Sequence, residues 1–316
     1  MDAAELRWIA NATGAKSVRR GEAIQSLWSG YGELFRVELT GVASESAIVK
    51  WVKPPSRAPS RVGGADVSHA RKCRSYDVET AWYRRFASRC DAACRVPSLI
   101  DSRVSKDEWL FLLEDLDAAG FAERRRHPSA TETDACMAWL AAFHARFLGV
   151  APDGLWKTGT YWHLGTRLDE LPVIEDGALR EAAPILDAKL RACTFQTLVH
   201  GDAKPANFCF GRGTVAAVDF QYVGGGCGMK DVAYFLSPSG RALDEERHLD
   251  RYFACLRAAL GERGTVDAEA LESEWRALYP IACADYYRFL AGWAKEHWRS
   301  DGHGQKYTRN VLRSLS

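Results

Sequence analysis

The sequence predicts a mixed α+β fold with two lobes, an N-terminal lobe built on an antiparallel sheet and a larger, mostly helical C-terminal lobe. Runs in which apolar and polar residues alternate, as they do in half-buried strands, lie before residue 114, for example at 33–39. Apolar residues at helical spacing prevail further along the chain, for example at 133–148. Acidic residues follow the apolar strand 109–113 directly, as expected at a hinge between two lobes. We therefore place the boundary there and expect lobes at 1–116 and 117–316.

The composition narrows the classes of function. A chain of 316 residues can form two lobes that share a cleft. Its 42 Lys and Arg nearly balance its 41 Asp and Glu, so charge gives no reason to expect a nucleic acid or an anionic membrane as partner. No apolar run approaches the ~20 residues that span a bilayer, the N-terminus carries no secretory signal, and no obligate protein partner is evident. Nine scattered cysteines without CxxC spacing favour reduced thiols and a cytoplasmic location.

Two glycines in the first lobe are candidates for phosphate binding. Gly30 and Gly32 join the predicted strands 23–28 and 33–39. Backbone N–H groups of such a loop could lie over phosphates, although a plain hairpin turn would use the same residues. A Gly-x-Gly loop is therefore a weak indication when it stands alone.

A lysine and a glutamate in the first lobe are predicted to pair. Lys50 lies inside the apolar strand 46–53, where its ammonium must reach solvent or meet an anion. Lys53 is the alternative, but prolines end the strand beside it. A helix predicted from Ser75 places Glu79 next to a buried stripe, where it can meet Lys50. The stripe consists of Val78, Trp82 and Phe86.

The end of the first lobe is predicted to contact a nucleobase. Strands at 99–102 and 109–113 flank a polar turn, and backbone groups of Leu113, Glu114 and Leu116 could hydrogen-bond an adenine edge. The Glu114 side chain could instead cap the segment that follows. Earlier in the lobe, residues 54–66 are rich in Pro, Ser, Gly and Arg and predict a loop.

The segment 198–220 carries the candidate catalytic residues Asp202 and Lys204 and the candidate metal ligands Asn207 and Asp219. Two short apolar strands around a glycine turn form a hairpin that returns Asp219 to Asn207. One carboxylate and one amide suit Mg²⁺, which prefers hard oxygen ligands and takes the remainder from phosphates and water. Asp202 is then placed to orient an attacking hydroxyl and accept its proton.

Aromatic residues in the second lobe could wall an acceptor pocket or simply pack the core. They are Trp156, Tyr161, Trp162, Tyr286, Tyr287 and Trp293. Such side chains could cage a quaternary ammonium, as in choline, or clasp a sterol-like alcohol. No acidic cluster that would suit a polycationic aminoglycoside is evident near them. His144 and His200 are expected to be structural, and Asp231 is expected to be the N-cap of a helix.

These motifs resemble the kinase catalytic machinery. Asp202, Lys204 and Asn207 have the Asp-x-Lys-x-x-Asn spacing of the kinase catalytic loop, with HGD in place of HRD, and residues 219–221 read DFQ in place of DFG. The gap from Asp219 to the next helix is too short for a protein-kinase activation loop, and Ala-Pro-Glu is missing. A small acceptor is therefore favoured over a peptide.

Over residues 26–236 the chain resembles the aminoglycoside phosphotransferase and choline kinase group, and within it the ecdysteroid-kinase-like (CHK kinase-like) family. The resemblance implies a two-lobed protein-kinase-like fold, ATP, Mg²⁺ and transfer of the γ-phosphate to a small-molecule hydroxyl. It also implies that Lys50 contacts the α- and β-phosphates and that Lys204 steadies the γ-phosphate. Residues 29–32 match the glycine-rich loop of the family only in part. The alternatives are a choline- or ethanolamine-type kinase and a catalytically silent nucleotide-binding protein.

Overall fold

The computed structural model describes residues 1–55, 65–236, 244–261 and 266–315. The described part begins with helix α1 (Ala3–Thr13), which a capping box between Asp2 and Glu5 starts. An antiparallel sheet of five strands follows, in the order β1-β2-β3-β5-β4. The strands are β1 (Ser17–Ser26), β2 (Gly32–Thr40), β3 (Ser46–Val52), β4 (Leu99–Ser105) and β5 (Glu108–Glu114).

One face of this sheet is covered by α1, and the other faces a cleft. Phe35, Val49 and Leu112 are buried on the covered face, where they form a cluster with Trp8 and Ile9 of α1. Successive residues of a strand point to opposite faces. Lys50 therefore lies on the cleft face, as its position between Val49 and Trp51 predicts.

Helix α2 (Ala65–Arg85) is ten residues longer at its start than the sequence predicts. The buried stripe starts only near Tyr76, so apolar periodicity does not reveal the first turns, although residues 65–74 contain no Gly or Pro. Val78 and Trp82 are fully buried, as expected. Most of the loop predicted at 54–66 falls on residues 56–64, which lie outside the described residues.

The rest of the described chain is mostly helical. The helices are α3 (Ala130–Arg146), α4 (Gly177–Arg191), α5 (Met229–Leu236), α6 (Glu245–Gly261), α7 (Ala268–Trp293), α8 (Lys295–Ser300) and α9 (Gly302–Leu315). Short strands pair as β6-β8-β9 and β10-β7. These are β6 (Glu123–Arg124), β7 (Thr197–Val199), β8 (Phe208–Phe210), β9 (Val215–Ala217) and β10 (Gly224–Gly226). The predicted two-lobed α+β class is thus confirmed, whereas the boundary at 116/117 stays a prediction.

A single hydrophobic core connects the helices to the segment that carries the candidate catalytic residues. Trp82 of α2 stacks on Phe220, with ring centroids 4.3 Å apart and an interplanar angle of 13°. Trp139 and Phe143 of α3 pack on the same phenyl ring. Of the helices described, none is long and apolar enough to span a membrane.

Candidate active site

The loop after β7 is held in place by a buried aspartate of α5. The Asp231 carboxylate accepts hydrogen bonds from the backbone N–H groups of His200 (2.6 Å) and Gly201 (2.9 Å). Gly201 has a φ of +81°, and a Cβ there would lie 2.1 Å from the Tyr222 carbonyl oxygen. The expectation that Asp231 is an N-cap was wrong, because it lies inside the first turn of α5 and stabilises a loop remote in sequence.

Both histidines are structural, as predicted. His144 is fully buried, with Nδ1 2.7 Å from the Tyr252 hydroxyl and Nε2 3.2 Å from Asp231 Oδ2. Burial lowers the pKa of His200. The neutral ring donates from Nε2 to the Val218 carbonyl (3.0 Å) and accepts the Asp202 backbone N–H at Nδ1 (3.2 Å). His200 therefore ties the loop to the residue that follows strand β9.

Asp202 has one engaged oxygen and one open oxygen. Oδ2 accepts hydrogen bonds from Lys204 Nζ (2.9 Å) and Asn207 Nδ2 (2.9 Å). Oδ1 is buried without a hydrogen-bond partner among the described residues. Burial raises the pKa of this carboxyl, and the positive charge of Lys204 lowers it by a smaller amount. An orphaned, buried carboxylate oxygen is suited to accept a proton from a hydroxyl held beside it.

Asn207 and Asp219 meet as the hairpin predicts, and their chemistry fits Mg²⁺. The Val218 N–H donates to the Asn207 carbonyl (2.9 Å), which sets the two residues side by side. Asn207 Nδ2 donates to the Asp202 carbonyl and to Asp202 Oδ2, which leaves Asn207 Oδ1 for a cation. No group of three or more His, Cys, Asp or Glu that could hold a metal ion occurs in the described chain, so phosphate oxygens and water would have to complete the coordination.

The electrostatic environment of Asp219 keeps it ionised. Burial would raise its pKa, but the charges of Lys50, Lys72 and Lys204 outweigh burial and lower it. Its side chain remains 38% exposed, and its φ of +68° is unusual for a residue other than glycine. Strained backbone of this kind is common at functional sites.

The predicted pairing of Lys50 and Glu79 is present. Lys50 Nζ lies 2.8 Å from both carboxylate oxygens of Glu79 and 3.5 Å from Asp219 Oδ1. Lys50 is 6% exposed and Glu79 is 1% exposed. Burial opposes the charge on Lys50, but the two carboxylates outweigh it and raise its pKa. The pair therefore holds a fixed ammonium at the edge of the cleft.

A cavity of about 690 Å³ lies between the sheet and the 198–220 segment. Of the candidate residues, the cavity is lined by Lys50, Glu79, Leu113, Glu114, Leu116, Asn207 and Asp219. The Glu114 N–H donates to the Ser98 carbonyl (3.0 Å), and the Glu114 carboxylate pairs with Arg95. Gly30 and Gly32 are not among the lining residues.

Of the two glycines, Gly32 is packed against the sheet and Gly30 is exposed, and neither lines the cavity. A Cβ on Gly32 would lie 2.0 Å from the Trp51 carbonyl oxygen, so close strand packing requires this glycine. The Gly30 N–H donates to the Leu27 carbonyl (3.1 Å). Tyr31 is fully buried, and its hydroxyl lies 2.6 Å from His69 Nδ1 of α2. The geometry of these glycines therefore fits the plain-turn alternative.

Apart from Trp293, which is exposed on α7, the aromatic candidates divide into two groups. Trp162 is fully buried, and Tyr286 and Tyr287 are each 4% exposed, so these three pack the core. Trp156 and Tyr161 are partly exposed. They gather around a residue that the sequence did not single out, because Tyr222 stacks on Trp156 (centroids 6.0 Å, 9°) and meets Tyr161 edge-on (5.8 Å, 62°).

Sequence reasoning also missed Lys72 and Gln221, which line the cavity. Lys72 lies in the part of α2 that periodicity did not reveal, seven residues before Glu79. Two helical turns place residues seven apart on one face, so a correct start for α2 would have indicated Lys72. Gln221 follows Asp219 by two residues and accepts a hydrogen bond from Lys72 Nζ.

Comparison with known proteins gives a family and a fold. The profile of a family described as "Phosphotransferase enzyme family" (APH) matches residues 66–269. No curated protein sequence matches the chain.

Several solved structures are similar to the chain over nearly its whole length. A choline kinase from Cryptosporidium parvum Iowa II is 10% identical, covers 99% of this chain and 97% of its own, and has a TM-score of 0.56. The amicoumacin kinase hAmiN, in complex with AMP-PNP, Ca²⁺ and Ami, is 14% identical with the same coverages and TM-score. A microcompartment-associated aminopropanol kinase is 15% identical, covers 98% of this chain and 95% of its own, and has a TM-score of 0.55. At these identities the likeness shows the kinase-like fold alone.

Proposed function

The chain belongs to the phosphotransferase enzyme family, whose profile matches well over half of it, and we propose that it is an ATP- and Mg²⁺-dependent O-kinase. In this proposal it moves the γ-phosphate of ATP to a hydroxyl of a small molecule. The observation that carries the proposal is the convergence of Asp202, Asn207 and Asp219 beside the cavity that Lys50 lines.

ATP would occupy the cavity of about 690 Å³, with its base against residues 113–116. Lys50, oriented by Glu79, would bind the α- and β-phosphates. The complex of a structurally similar kinase with AMP-PNP supports an adenine nucleotide as the ligand. We assign residues 1–116 to the ATP-binding lobe and 117–316 to the catalytic and acceptor-binding lobe.

Asn207 and Asp219 would hold the metal ion. Asn207 presents a free amide oxygen, and Asp219 stays ionised next to it. Bound Mg²⁺ would neutralise charge on the phosphate oxygens during transfer.

Asp202 would act as the base. Its open Oδ1 accepts the proton of the acceptor hydroxyl while the hydroxyl oxygen forms a bond to the γ-phosphorus. The bond from the γ-phosphorus to the β,γ-bridging oxygen breaks, and ADP leaves with that oxygen. Lys204, 2.9 Å from Asp202 Oδ2, both orients the carboxylate and offers a positive charge to the transferred phosphoryl group.

An acceptor that carries an ammonium group is the more specific possibility. Trp156, Tyr161 and Tyr222 form a partly exposed aromatic group, and such rings bind alkylammonium ions. Arginines already lie near two of these rings, Arg74 at 6.0 Å from Trp156 and Arg167 at 5.6 Å from Tyr161, so the choice between ammonium alcohols and sterols belongs to the substrate panel. A closer relation to the CHK kinase-like branch and a cytoplasmic location stay predictions, the latter supported by nine free cysteines.

The proposal is tested by ADP release with Mg²⁺ and a panel of alcohols comprising choline, ethanolamine, aminopropanol, sugars, sterols and an aminoglycoside. We expect turnover with one class and a loss of about 10²-fold or more in Asp202→Asn, because that variant cannot accept the proton. Asp153→Asn removes an exposed carboxylate from the same lobe and is the matched control. Undiminished turnover in Asp202→Asn would exclude Asp202 as the base.

A catalytically silent nucleotide-binding protein is the competing possibility. It would gain thermal stability from ATP and Mg²⁺ but would release no ADP with any member of the panel. An active kinase shows both effects, so the two measurements together separate the alternatives.

A further inference from the structure

A second lysine, Lys72, reaches the cavity that Lys50 lines. We propose that Lys72 binds the γ-phosphate of the nucleotide and supplies the positive charge that the glycine loop does not. This inference rests on the proposed function, because it assumes that a nucleoside triphosphate occupies the cavity.

The position of Lys72 follows from α2. Glu79, which holds Lys50, lies two turns further along the same helix, so both side chains point from one face into the cleft. The Lys72 ammonium lies 5.1 Å from the ring centroid of Tyr76 and donates a hydrogen bond to Gln221 Oε1. Gln221 lies two residues after Asp219, so this contact ties the Lys72 ammonium to the segment that carries the residue assigned to Mg²⁺.

No carboxylate of the described chain forms an ion pair with Lys72, because those nearby pair with other lysines. Glu79 pairs with Lys50 at 2.8 Å, and Asp202 pairs with Lys204 at 2.9 Å. Within the described chain, the one side chain that hydrogen-bonds the Lys72 ammonium is the neutral Gln221. Asp219 remains, and its proposed role is to bind the metal ion. A partly buried ammonium that faces an open cavity is then matched by an anionic ligand.

The glycine loop supports the same conclusion. Kinases commonly cover the phosphates with backbone N–H groups of this loop. Here the Gly30 N–H is engaged by the Leu27 carbonyl, and Gly32 is packed against Trp51. Neither glycine lines the cavity. Lys72 of helix α2 does line the cavity, so the helix offers the phosphates a positive charge that the two glycines do not.

The contacts of the two lysines differ, and the difference indicates which phosphate each meets. Lys50 projects from strand β3 and is held by Glu79, and its ammonium also lies 3.5 Å from Asp219 Oδ1. Lys72 contacts Gln221, whose backbone carbonyl accepts a hydrogen bond (2.8 Å) from Nε1 of Trp156, a member of the aromatic group assigned to the acceptor. Lys72 is therefore placed toward the acceptor, where the phosphoryl group to be transferred lies.

The test compares a triphosphate analogue with a diphosphate. Calorimetry with Mg²⁺ gives the affinities of the wild type and of Lys72→Met for AMP-PNP and for ADP. Loss of one charge-assisted contact weakens AMP-PNP binding by about ten- to hundredfold, and we expect the affinity for ADP to be nearly unchanged. Lys53→Met removes an exposed lysine from the same lobe and serves as control.

Further variants separate phosphate binding from a structural role. Gln221→Leu removes the partner of Lys72 but keeps the ammonium, so we expect it to retain the preference for AMP-PNP. Equal losses for both nucleotides in Lys72→Met, no loss, or the same selective loss in Gln221→Leu would each overturn the proposal. Lys72→Gln keeps a polar side chain and repeats the test if the methionine variant is unstable. A wild-type protein that binds neither nucleotide would instead refute the proposed function.

Discussion

At the scale of single residues, the site depends on the unequal environments of its two aspartates. Asp202 is buried beside one lysine, and burial raises its pKa. Asp219 is influenced by Lys50, Lys72 and Lys204, whose charges outweigh burial and lower its pKa. Two carboxylates that differ in this way can take different roles, one as a base and the other as a permanently ionised metal ligand.

The raised pKa of Asp202 predicts an acid limb in the pH profile of kcat/KM. The base must be ionised, so activity falls as the pH drops through its pKa. Lys204→Met removes a charge that holds this pKa down, so we expect the limb to move to higher pH. Rate measurements from pH 4.5 to 8 (a range set around the usual carboxyl and imidazole values) check this. A limb that stays in place would show that Lys204 does not act through Asp202.

At the scale of elements, α2 connects the sheet, the cavity and the core. Its inner face carries Lys72 and Glu79 toward the cleft, and Trp82 stacks on Phe220 next to Asp219. Arg71 near its start donates to the Thr166 carbonyl. The helix therefore positions charged groups of the first lobe against the loop that follows β9.

We expect Trp82→Ala to destabilise the protein by about 3–5 kcal/mol, because the indole is fully buried and stacked. Denaturant unfolding measures this change. Trp293→Ala is the matched control, since Trp293 is 60% exposed, and it should cost no more than about 1 kcal/mol. Equal effects of the two substitutions would contradict the packing described for α2.

Local patterns predict a large part of the site. Strand alternation places Lys50 on the cleft face, the i, i+4 stripe of α2 places Glu79 opposite it, and the hairpin returns Asp219 to Asn207. Each of these relations follows from the period of a strand or helix, or from the geometry of a tight turn.

Relations between distant segments could not be predicted in this way. Asp231 binds the backbone of His200 and Gly201 across about thirty residues of sequence, and only the packed fold brings them together. The first turns of α2 contain few apolar residues, so no hydrophobic periodicity marks them as helical. The position of Lys72 could therefore not be predicted. Buried Trp162 and partly exposed Trp156 have the same side chain, and only the fold separates them.

At the scale of the whole molecule, the cleft between sheet and helices determines what the protein can bind. One hydrophobic core extends from Tyr31 and Trp82 through Phe220 to Tyr286 of α7. The residues assigned to the nucleotide and to the acceptor therefore rest on a shared, well-packed support. Such support is what phosphoryl transfer needs, because its catalysis is mostly positioning and charge stabilisation.

The most direct test of the central claim is to find where the γ-phosphate goes. The protein is incubated with ATP labelled at the γ-phosphorus, Mg²⁺ and the alcohol that gives the highest rate of ADP release, and the label is then located by separation and mass measurement. We expect it on the hydroxyl of the small molecule, with none on polypeptide and little as free phosphate. Label found only on protein or only as free phosphate would contradict an O-kinase that acts on a small molecule.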